Sequence, residues 1–306
     1  MKKIVVIGSL NMDVVIQTPR MPEKGETISG AGVSYIPGGK GANQAFSAAK
    51  LGGRVSMIGA VGQDSAGDAL IRNLEKVGVD VSGIECCPDV PTGQAFITVD
   101  QNGDNSIVLV AGANQAVTKE LVDRHENLIR EADLVLLQLE IPLESVEYAK
   151  EIAAALGKRA LLDPAPAVSG LPSSFWKGVS CIKPNETEIG ILTGRACDTE
   201  EELRASAQEL RSLGAEQVLI SLGEKGCLFV GENTEELFAA QKVKAVDTTA
   251  AGDCFMGALA RMLSEDASMQ EAIAFAQKAA AVSVTRKGAQ TSMPSMEEVL
   301  GETKEP

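Results

Sequence analysis

The sequence contains one histidine, His125, and six cysteines, no two of which form a C-x-x-C pair. Zinc sites and disulfide frameworks need closely spaced ligands, so neither is expected. His125 lies in the charged segment DRHENLIR, which predicts a solvated helix. Mechanisms that depend on a Ser-His-Asp or Cys-His arrangement are therefore disfavoured.

Basic runs are also missing: Lys and Arg number 28 against 42 Asp and Glu, and the formal net charge is -14. Nucleic acid is not an expected partner. No window is long and apolar enough for a membrane span. The N-terminal apolar run is short and is interrupted by Asn11 and Asp13, so it predicts a strand and not a signal peptide. We expect a cytoplasmic protein without a membrane partner.

Two common nucleotide fingerprints do not occur: G-x-G-x-x-G and G-x-x-x-x-G-K-[ST]. The glycine-rich segment GGKGANQA, residues 38–45, lacks the spacing of either motif. A nicotinamide-dependent oxidoreductase and a P-loop enzyme are disfavoured for this reason.

What the chain does contain is a regular alternation of short apolar runs and amphipathic segments. Its 306 residues, 44% of them hydrophobic, can form one large α/β domain over 1–306. The alternation predicts βαβ units around a mostly parallel central sheet. The predicted strands are KIVVIGS, RVSMIGAVG, DLVLLQLE, RALLDPA, VSCIKPN and QVLISLG, and the predicted crossover helices are ANQAFSAAKLGG, SAGDALIRNLEKVG, LESVEYAKEIAAALG and TEEELRASAQELRSLG.

Two regions interrupt this alternation, at about 12–37 and 92–111. Both contain strand-like segments without an intervening helix, and QNGDN is a strong hairpin turn. We expect a small antiparallel sheet inserted into the main fold.

Polar residues follow five of the predicted strands, where a parallel sheet binds its ligands. They are Asn11 and Asp13, Glu140, Asp163, the segment NETE, and the segment LGEKG. Each one alone is more often a helix cap or a turn. Within GGKGANQA, Lys40 and Asn43 stand at a predicted helix start beside glycine amides, a surface suited to hydroxyl groups. Taken alone, this segment is better explained as a tight turn that opens a helix.

The segment DTTAAGDCFMGALARML, residues 247–263, predicts a helix that begins near Gly252 or Asp253. The amides of 250–253 would then be unsatisfied and could bind a phosphate. A carboxylate beside such a site makes chemical sense as a base for an incoming hydroxyl. The simpler interpretation is that Asp253 stabilises the helix dipole by about 0.3–1 kcal/mol.

Taken in order, GSLNMD, GGKGANQA, LLQLEIPLESV, DPAPA, KPNETE, SLGEKG, VDTTAAGDCFMGAL and AVSVTRKGAQTSMP resemble the ribokinases of the PfkB sugar-kinase family. The resemblance covers nearly the whole chain. It implies a ribokinase-like α/β/α fold and a β-sheet lid that often builds a homodimer, with the inserted hairpins at the lid. It also implies transfer of phosphate from ATP to the 5-hydroxyl of D-ribose.

The family motifs imply roles for individual residues. The sugar set would be Asn11, Asp13, Gly39, Lys40, Asn43 and Glu140, with Asp253 as substrate contact and base and the amides of Ala250, Ala251, Gly252 and Asp253 as the anion hole. The nucleotide set would be Asn185, Glu188, Ser221, Gly223, Gly226, Gly252 and Gln277, with Glu188 also supporting the Mg²⁺ shell through water. An activating K⁺ would bind at Asp247, Thr249, Ser283, Arg286, Gly288 and Ser292, mostly through backbone carbonyls.

Several alternatives stay open at this point. Gln277 stands where related kinases often have His or Asn near the adenine, which leaves nucleotide preference undecided. Another kinase of the family, for deoxyribose, fructose or a nucleoside, is the enzymatic rival, although 3% aromatic residues disfavour a nucleoside. A different class is a sugar- or nucleotide-binding protein without catalysis, which would lack the base or the anion hole.

Overall fold

The computed structural model describes residues 2–301, and its strands and helices follow the predicted alternation. The strands are β1 (Lys3–Ile7), β2 (Asn11–Gln17), β3 (Gly32–Gly38), β4 (Arg54–Gly62), β5 (Asp80–Cys87), β6 (Gly93–Val99), β7 (Asn105–Val110), β8 (Leu134–Gln138), β9 (Arg159–Asp163), β10 (Cys181–Ile182), β11 (Val218–Ser221), β12 (Cys227–Val230) and β13 (Glu235–Phe238). The α-helices are α1 (Lys40–Lys50), α2 (Ser65–Glu75), α3 (Lys119–Arg124), α4 (Glu126–Glu131), α5 (Leu143–Ala155), α6 (Glu186–Thr193), α7 (Glu200–Ser212), α8 (Ala251–Leu263), α9 (Met269–Ser283) and α10 (Met296–Leu300).

A nine-stranded sheet lies at the centre, in the order β13-β12-β11-β10-β9-β8-β1-β4-β5. Pairing is parallel from β11 through to β5 and antiparallel at β11–β12 and β12–β13. All six strands predicted for this sheet are present, and so are the four crossover helices. The mostly parallel sheet is confirmed.

Helices cover both faces of this sheet. Along β1, Ile4 and Val6 join one apolar cluster while Val5 and Ile7 join the other, because successive side chains of a strand point to opposite faces. The first cluster includes residues of α1, α2, α8, α9 and α10, and the second includes residues of α3 to α7. The result is the expected three-layer α/β/α arrangement.

A second sheet has the order β3-β2-β6-β7 and contains the two predicted hairpins. The expectation of an antiparallel sheet is wrong at its centre, where β2 and β6 pair in parallel. The hairpins themselves are antiparallel, β2 with β3 and β6 with β7. The segment between the two hairpins contains α1, β4, α2 and β5, and it returns the chain to the small sheet so that β6 runs in the same direction as β2.

His125 does not lie on a continuous solvated helix. It is the junction between the short helices α3 and α4, and its half-buried ring approaches Glu85, with 3.4 Å between Nε2 and Oε1. Over residues 2–301, none of the helices has the length and apolarity needed to cross a membrane.

Candidate active site

The polar residues that follow the strands lie together at the carboxyl edge of the parallel sheet. Asn11 opens β2 just beyond β1, Glu140 follows β8, and Asp163 ends β9. Helices α1 and α8 pack against each other, and their first turns place Asn43 and Asp253 beside those residues. The topology therefore assembles one site from distant parts of the chain.

Gly39 allows the chain to enter α1 close to β2. Its φ of 87° lies in the left-handed region, and a Cβ at this position would lie 2.7 Å from the backbone nitrogen of Asn11. Immediately after this turn, the amide of Lys40 donates to Oε2 of Glu140 at 3.0 Å, and the Ser9 hydroxyl donates to the same oxygen. The turn thus fixes the Glu140 carboxylate at the helix start.

Asp253 is almost fully buried, and both of its carboxylate oxygens accept hydrogen bonds. Asn43 donates from Nδ2 to Oδ2 at 2.9 Å, and Gln44 donates from Nε2 to Oδ1 at 3.1 Å. Amide nitrogens are donors only, so these contacts stabilise the ionised carboxylate in one orientation.

The carboxyl groups of the site have raised pKa values. Burial raises the pKa of Asp253, while Lys40 and the two amide donors oppose the increase. Burial, together with the charges of Glu140 and Asp253, raises the pKa of Asp13 to about 7. Burial also raises the pKa of Glu140, against the hydrogen bond from Ser9 and the charge of Lys40. A cluster of buried carboxyl groups with raised pKa values is typical of a functional site.

Two lysines lie next to these carboxylates, each with its Nζ 3.8 Å from Oδ2 of Asp163: Lys40 and the buried Lys183. Burial lowers the pKa of Lys40, but the surrounding carboxylates, Asp163 foremost, raise it above its usual range, so this group stays charged. The site therefore combines acceptor oxygens with two fixed cations.

The N-terminus of α8 faces the same region. The helix begins at Ala251, slightly earlier than predicted, and Ala250 before it has the left-handed φ of 57°. The amide of Ala251 donates to the Thr248 carbonyl at 3.2 Å, which corrects the expectation that all four amides are free. The amides of Ala250, Gly252 and Asp253 donate to no other group within residues 2–301. Three donors are thus available to an anion.

Asn185 and Glu188 form a capping box at the start of α6. The Glu188 amide donates to Oδ1 of Asn185 at 2.8 Å, and the Asn185 amide donates to Oε2 of Glu188 at 2.8 Å. This satisfies two amides at the helix start and leaves Oε1 of Glu188 outside the box. The N-x-x-E segment therefore has a structural role whatever it binds.

The predicted nucleotide loop lies between β11 and β12. The Ser221 amide donates to the Pro184 carbonyl at 2.9 Å, which connects this loop to the strand before α6. Gly223 and Gly226 both have positive φ, and a Cβ on Gly226 would lie 1.9 Å from the Phe238 carbonyl oxygen. Gln277 on α9 donates to that same carbonyl at 3.0 Å. The structure brings all these residues to one end of the sheet.

The residues predicted to bind a monovalent cation lie on adjoining loops. Asp247 accepts from the amides of Thr249 and Gly288, each at 2.9 Å, and so connects the loop before α8 with the loop after α9. The side chains of Ser283, Ser292 and Arg286 are already bonded to the Ala280 carbonyl, the Ala289 carbonyl and Glu298. In the part of the chain that the structure describes, no group of three or more His, Cys, Asp or Glu side chains could hold a metal ion.

Sequence reasoning missed several buried polar residues that surround Asp253. They are Gln44, Lys183, Gln138 and Gln290. The signal for Gln44 was available, since GGKGANQA places it on the same predicted helix as Asn43. Nothing local indicates Gln138 or Gln290, because their partners lie far away in the chain.

Comparison with known proteins shows the family of the chain. The model of the pfkB family carbohydrate kinase matches residues 1–296. The chain is 41% identical over 299 residues to a ribokinase of Haemophilus influenzae, covering 98% of this chain and 97% of the relative. It is 40% identical over 295 residues to a deoxyribokinase of Salmonella typhi, covering 96% of each.

Solved structures show the same fold. A ribokinase of Thermotoga maritima, 41% identical, superimposes with a TM-score of 0.90 over 98% of this chain and 99% of the other. Arabidopsis thaliana ribokinase complexed with ribose and ATP, 34% identical, superimposes with a TM-score of 0.93 over 98% of each chain. The chain belongs to the pfkB family of carbohydrate kinases.

Proposed function

We propose that this chain transfers the γ-phosphoryl group of ATP to the 5-hydroxyl of D-ribose. The observation that carries the proposal is the placement of Asp253, whose carboxylate is buried beside the free amides at the start of α8. A proton acceptor and an anion site stand next to each other there, as phosphoryl transfer to a hydroxyl requires. A binding protein without catalysis needs neither, so these two features argue against that class.

The sugar would bind among Asn11, Asp13, Gly39, Asn43 and Glu140, which supply hydroxyl acceptors and amide donors. Lys40 and Lys183 are the cations that flank this group. A neutral polyol suits such a carboxylate-rich pocket better than a phosphorylated sugar, which would need more positive charge. The substrates named for the ribokinase and deoxyribokinase relatives are neutral sugars of this kind.

In the reaction, Asp253 accepts the proton of the 5-hydroxyl while the sugar oxygen forms its bond to the γ-phosphorus. The bond from that phosphorus to the oxygen of ADP breaks, and ADP leaves with the bonding electrons. The amides of Ala250, Gly252 and Asp253 would donate to the oxygens of the transferring group, where negative charge has to be stabilised. Lys183 would add a positive charge at this place. Its Nζ lies 3.1 Å from the point that a Cβ on Gly252 would occupy.

Mg²⁺ and the phosphates would be supported by Asn185 and Glu188. Mg²⁺ keeps several waters and needs one or two carboxylates, and Oε1 of Glu188 lies outside the capping box. When bound with ATP, the ion supplies charge neutralisation at the phosphates. Ser221, Gly223, Gly226 and Gln277 would form the nucleotide loop and the adenine end of the site.

K⁺ would bind between the loop before α8 and the loop after α9, with Asp247, Thr249, Ser283, Arg286, Gly288 and Ser292. Asp247 fits an indirect role, since its two oxygens already accept the Thr249 and Gly288 amides. The side chains of Ser283, Arg286 and Ser292 already make hydrogen bonds within the protein. The ligands that fit a monovalent cation here are therefore the backbone carbonyl oxygens of these loops.

The second sheet would act as a lid over the sugar, from about 12–37 and 92–111. Asp13 lies on one of its faces, and the opposite face carries exposed apolar side chains: Val33, Tyr35, Phe96, Val108 and Val110. A second copy of this chain would cover this face and form a homodimer. The cytoplasmic location and the absence of a nucleic-acid partner stay predictions.

Deoxyribose is the second candidate substrate, because the deoxyribokinase relative is 40% identical and the ribokinase relative 41%. The two sugars differ by the 2-hydroxyl, so a site that hydrogen-bonds this group would strongly reject the sugar without it.

The test is a coupled ADP-release assay over a panel of pentoses, hexoses and nucleosides with MgATP. We expect the highest kcat/KM with D-ribose and a product phosphorylated at the 5-position. A higher kcat/KM with deoxyribose or another sugar would identify that sugar as the substrate. No turnover with any compound of the panel would favour a binding protein without catalysis.

A further inference from the structure

Two chains of buried carboxamides end at the carboxylate of Asp253. On one side Gln138, at the end of β8, donates from Nε2 to Oε1 of Gln44 at 2.7 Å. Gln44 then donates from Nε2 to Oδ1 of Asp253 at 3.1 Å and to Oδ2 of Asp163 at 2.9 Å. Gln44 and Gln138 are both fully buried.

On the other side, Gln290 donates from Nε2 to Oδ1 of Asn43 at 2.9 Å. Asn43 donates in turn from Nδ2 to Oδ2 of Asp253 at 2.9 Å. Gln290 is 3% exposed, and its Oε1 accepts from the Asn73 side chain on α2. The two oxygens of Asp253 are therefore each reached by an amide that has a second amide behind it.

The direction of every hydrogen bond in these chains is determined by the carboxylates. An ionised carboxylate only accepts, so Gln44 and Asn43 must present their NH₂ groups to Asp253. Their carbonyl oxygens then face outward, and only an NH₂ group of Gln138 or Gln290 can satisfy them. Gln138 keeps this orientation although its own Oε1 has no hydrogen-bond partner within residues 2–301.

We propose that Gln138 and Gln290 are positioning residues for phosphoryl transfer, which orient Gln44 and Asn43 so that both NH₂ groups point at Asp253. Neither glutamine contacts Asp253 itself, and the effect of each passes through one intermediate amide. If Gln138 is removed, Oε1 of Gln44 loses its buried donor, and only the contacts with Asp253 and Asp163 still hold this carboxamide. The donor to the base is then less firmly fixed.

Other charged groups also face this carboxylate: Lys40 on α1, Asp163 at the end of β9, Glu140 after β8 and Asp13 on β2. Lys183 contacts Asp163, with its Nζ 3.8 Å from Oδ2. All of them stay in place when an uncharged glutamine is replaced by an uncharged methionine, so a change in the titration of Asp253 would report on the amides. Donors to a carboxylate lower its pKa, and their loss raises it.

The inference rests on the proposed function, in which Asp253 is the base. The experiment that tests it is a double-mutant cycle with the substitutions Gln138→Met and Gln44→Met. We expect Gln138→Met to lower kcat about tenfold with little change in the KM of the sugar, since general base catalysis contributes about 10²–10⁴-fold in total. The acid limb of the kcat profile should move to higher pH. In the Gln44→Met background, Gln138→Met should have no further effect.

The same design applies to Gln290→Met in an Asn43→Ala background, with Gln208→Met on α7 as the control. Gln208 donates to Glu235 at 2.6 Å on the surface and should leave kcat and its pH profile unchanged. The proposal would be overturned if the glutamine substitution lowered kcat equally in the wild-type and the variant background. An unchanged acid limb in the pH profile of kcat would also overturn it. Thermal unfolding shows whether each variant is folded, independently of the sugar contact proposed for Asn43.

Failure of the substrate assignment would look different. If the wild-type protein phosphorylated another sugar of the panel, the cycle would be run with that sugar, and it would test the amide chains independently of ribose.

Discussion

The ammonium group of Lys183 lies 3.1 Å from the point where a side chain on Gly252 would begin. Gly252 also carries one of the free amides at the start of α8. The lysine and the bare backbone therefore share one small space, which we assign to the transferring phosphoryl group.

Gly252→Ala tests that assignment, because its methyl group would fill this space while alanine suits a helix better than glycine. We expect kcat to fall at least about tenfold, since small misplacements of reacting groups are costly, and the melting temperature to stay the same or rise. ADP release and thermal unfolding measure the two effects. An unchanged kcat would place the phosphoryl group elsewhere.

Asp253→Asn should abolish the base while keeping a side chain of the same shape. We expect kcat to fall by about 10²–10⁴-fold, the usual contribution of a general base, while ribose binding measured by calorimetry stays within a few-fold. Asp68→Asn, an exposed carboxylate on α2, is the matched control. Retained turnover in Asp253→Asn would show that another group accepts the proton.

The raised pKa of Asp13 predicts a pH-dependent stability of the ligand-free protein. Its pKa is about 7 in the folded state against 3.8 for an unperturbed aspartate, so the folded state binds the proton more tightly. The stability from this group is present below about pH 4 and is lost as the pH rises through 7. The free energy of unfolding of Asp13→Asn, relative to that of wild type, should therefore increase by on the order of 4 kcal/mol between pH 4 and pH 8.

Urea unfolding of both proteins at several pH values measures this difference. A constant difference between pH 4 and pH 8 would mean that the Asp13 carboxyl has an ordinary pKa. Added ribose should reduce the gain, because hydroxyl groups would then satisfy the carboxylate.

Replacing K⁺ with Na⁺ at constant ionic strength should slow ADP release. We expect the loss to appear in kcat, because the proposed cation loops adjoin the start of α8, where the phosphoryl group would be transferred. Melting curves in the two salts give a second readout, with a higher melting temperature in K⁺. Equal rates and equal melting temperatures in both salts would remove K⁺ from the proposal.

Val108→Lys should separate the proposed homodimer. Val108 is 61% exposed on the apolar face of the second sheet, and a charge there cannot be buried against a second copy without a large cost. Light scattering after size exclusion should give the mass of a monomer for the variant and twice that mass for wild type. Ile191→Lys, at an exposed apolar position on α6, is the control and should leave the dimer intact.

The central layer of the fold could be predicted from sequence because its signals are local. Apolar runs such as residues 54–62 are too short for helices, and the amphipathic segments between them end at glycine. The location of the site at the carboxyl edge of the sheet was predictable for the same reason, since polar residues such as Asn11 and Glu140 stand directly after apolar runs. Once the strands are parallel, these residues must meet.

The parts that could not be predicted depend on contacts between distant segments. Gln138 looks like the end of a buried strand, and its partner Gln44 lies 94 positions away in the chain. The parallel pairing of β2 with β6 could not be predicted for the same reason. The sequence signal of each hairpin is local and does not specify how the two hairpins pair with each other. The occupied amide of Ala251 depends on the local turn at Thr248, which no spacing rule specifies.

The parallel contact between β2 and β6 also constrains the order in which the molecule folds. Register pairs such as Asn11 with Gly93 close a long loop that contains α1, β4, α2 and β5, and closing such a loop is entropically costly until that segment is structured. We therefore predict that β2 and β6 pair after β1 and β4 have paired, and that Asp13 takes its place beside Glu140 and Asp253 in that late step. In a pulse-labelling hydrogen-exchange experiment, the amides of β6 would become protected after those of β4.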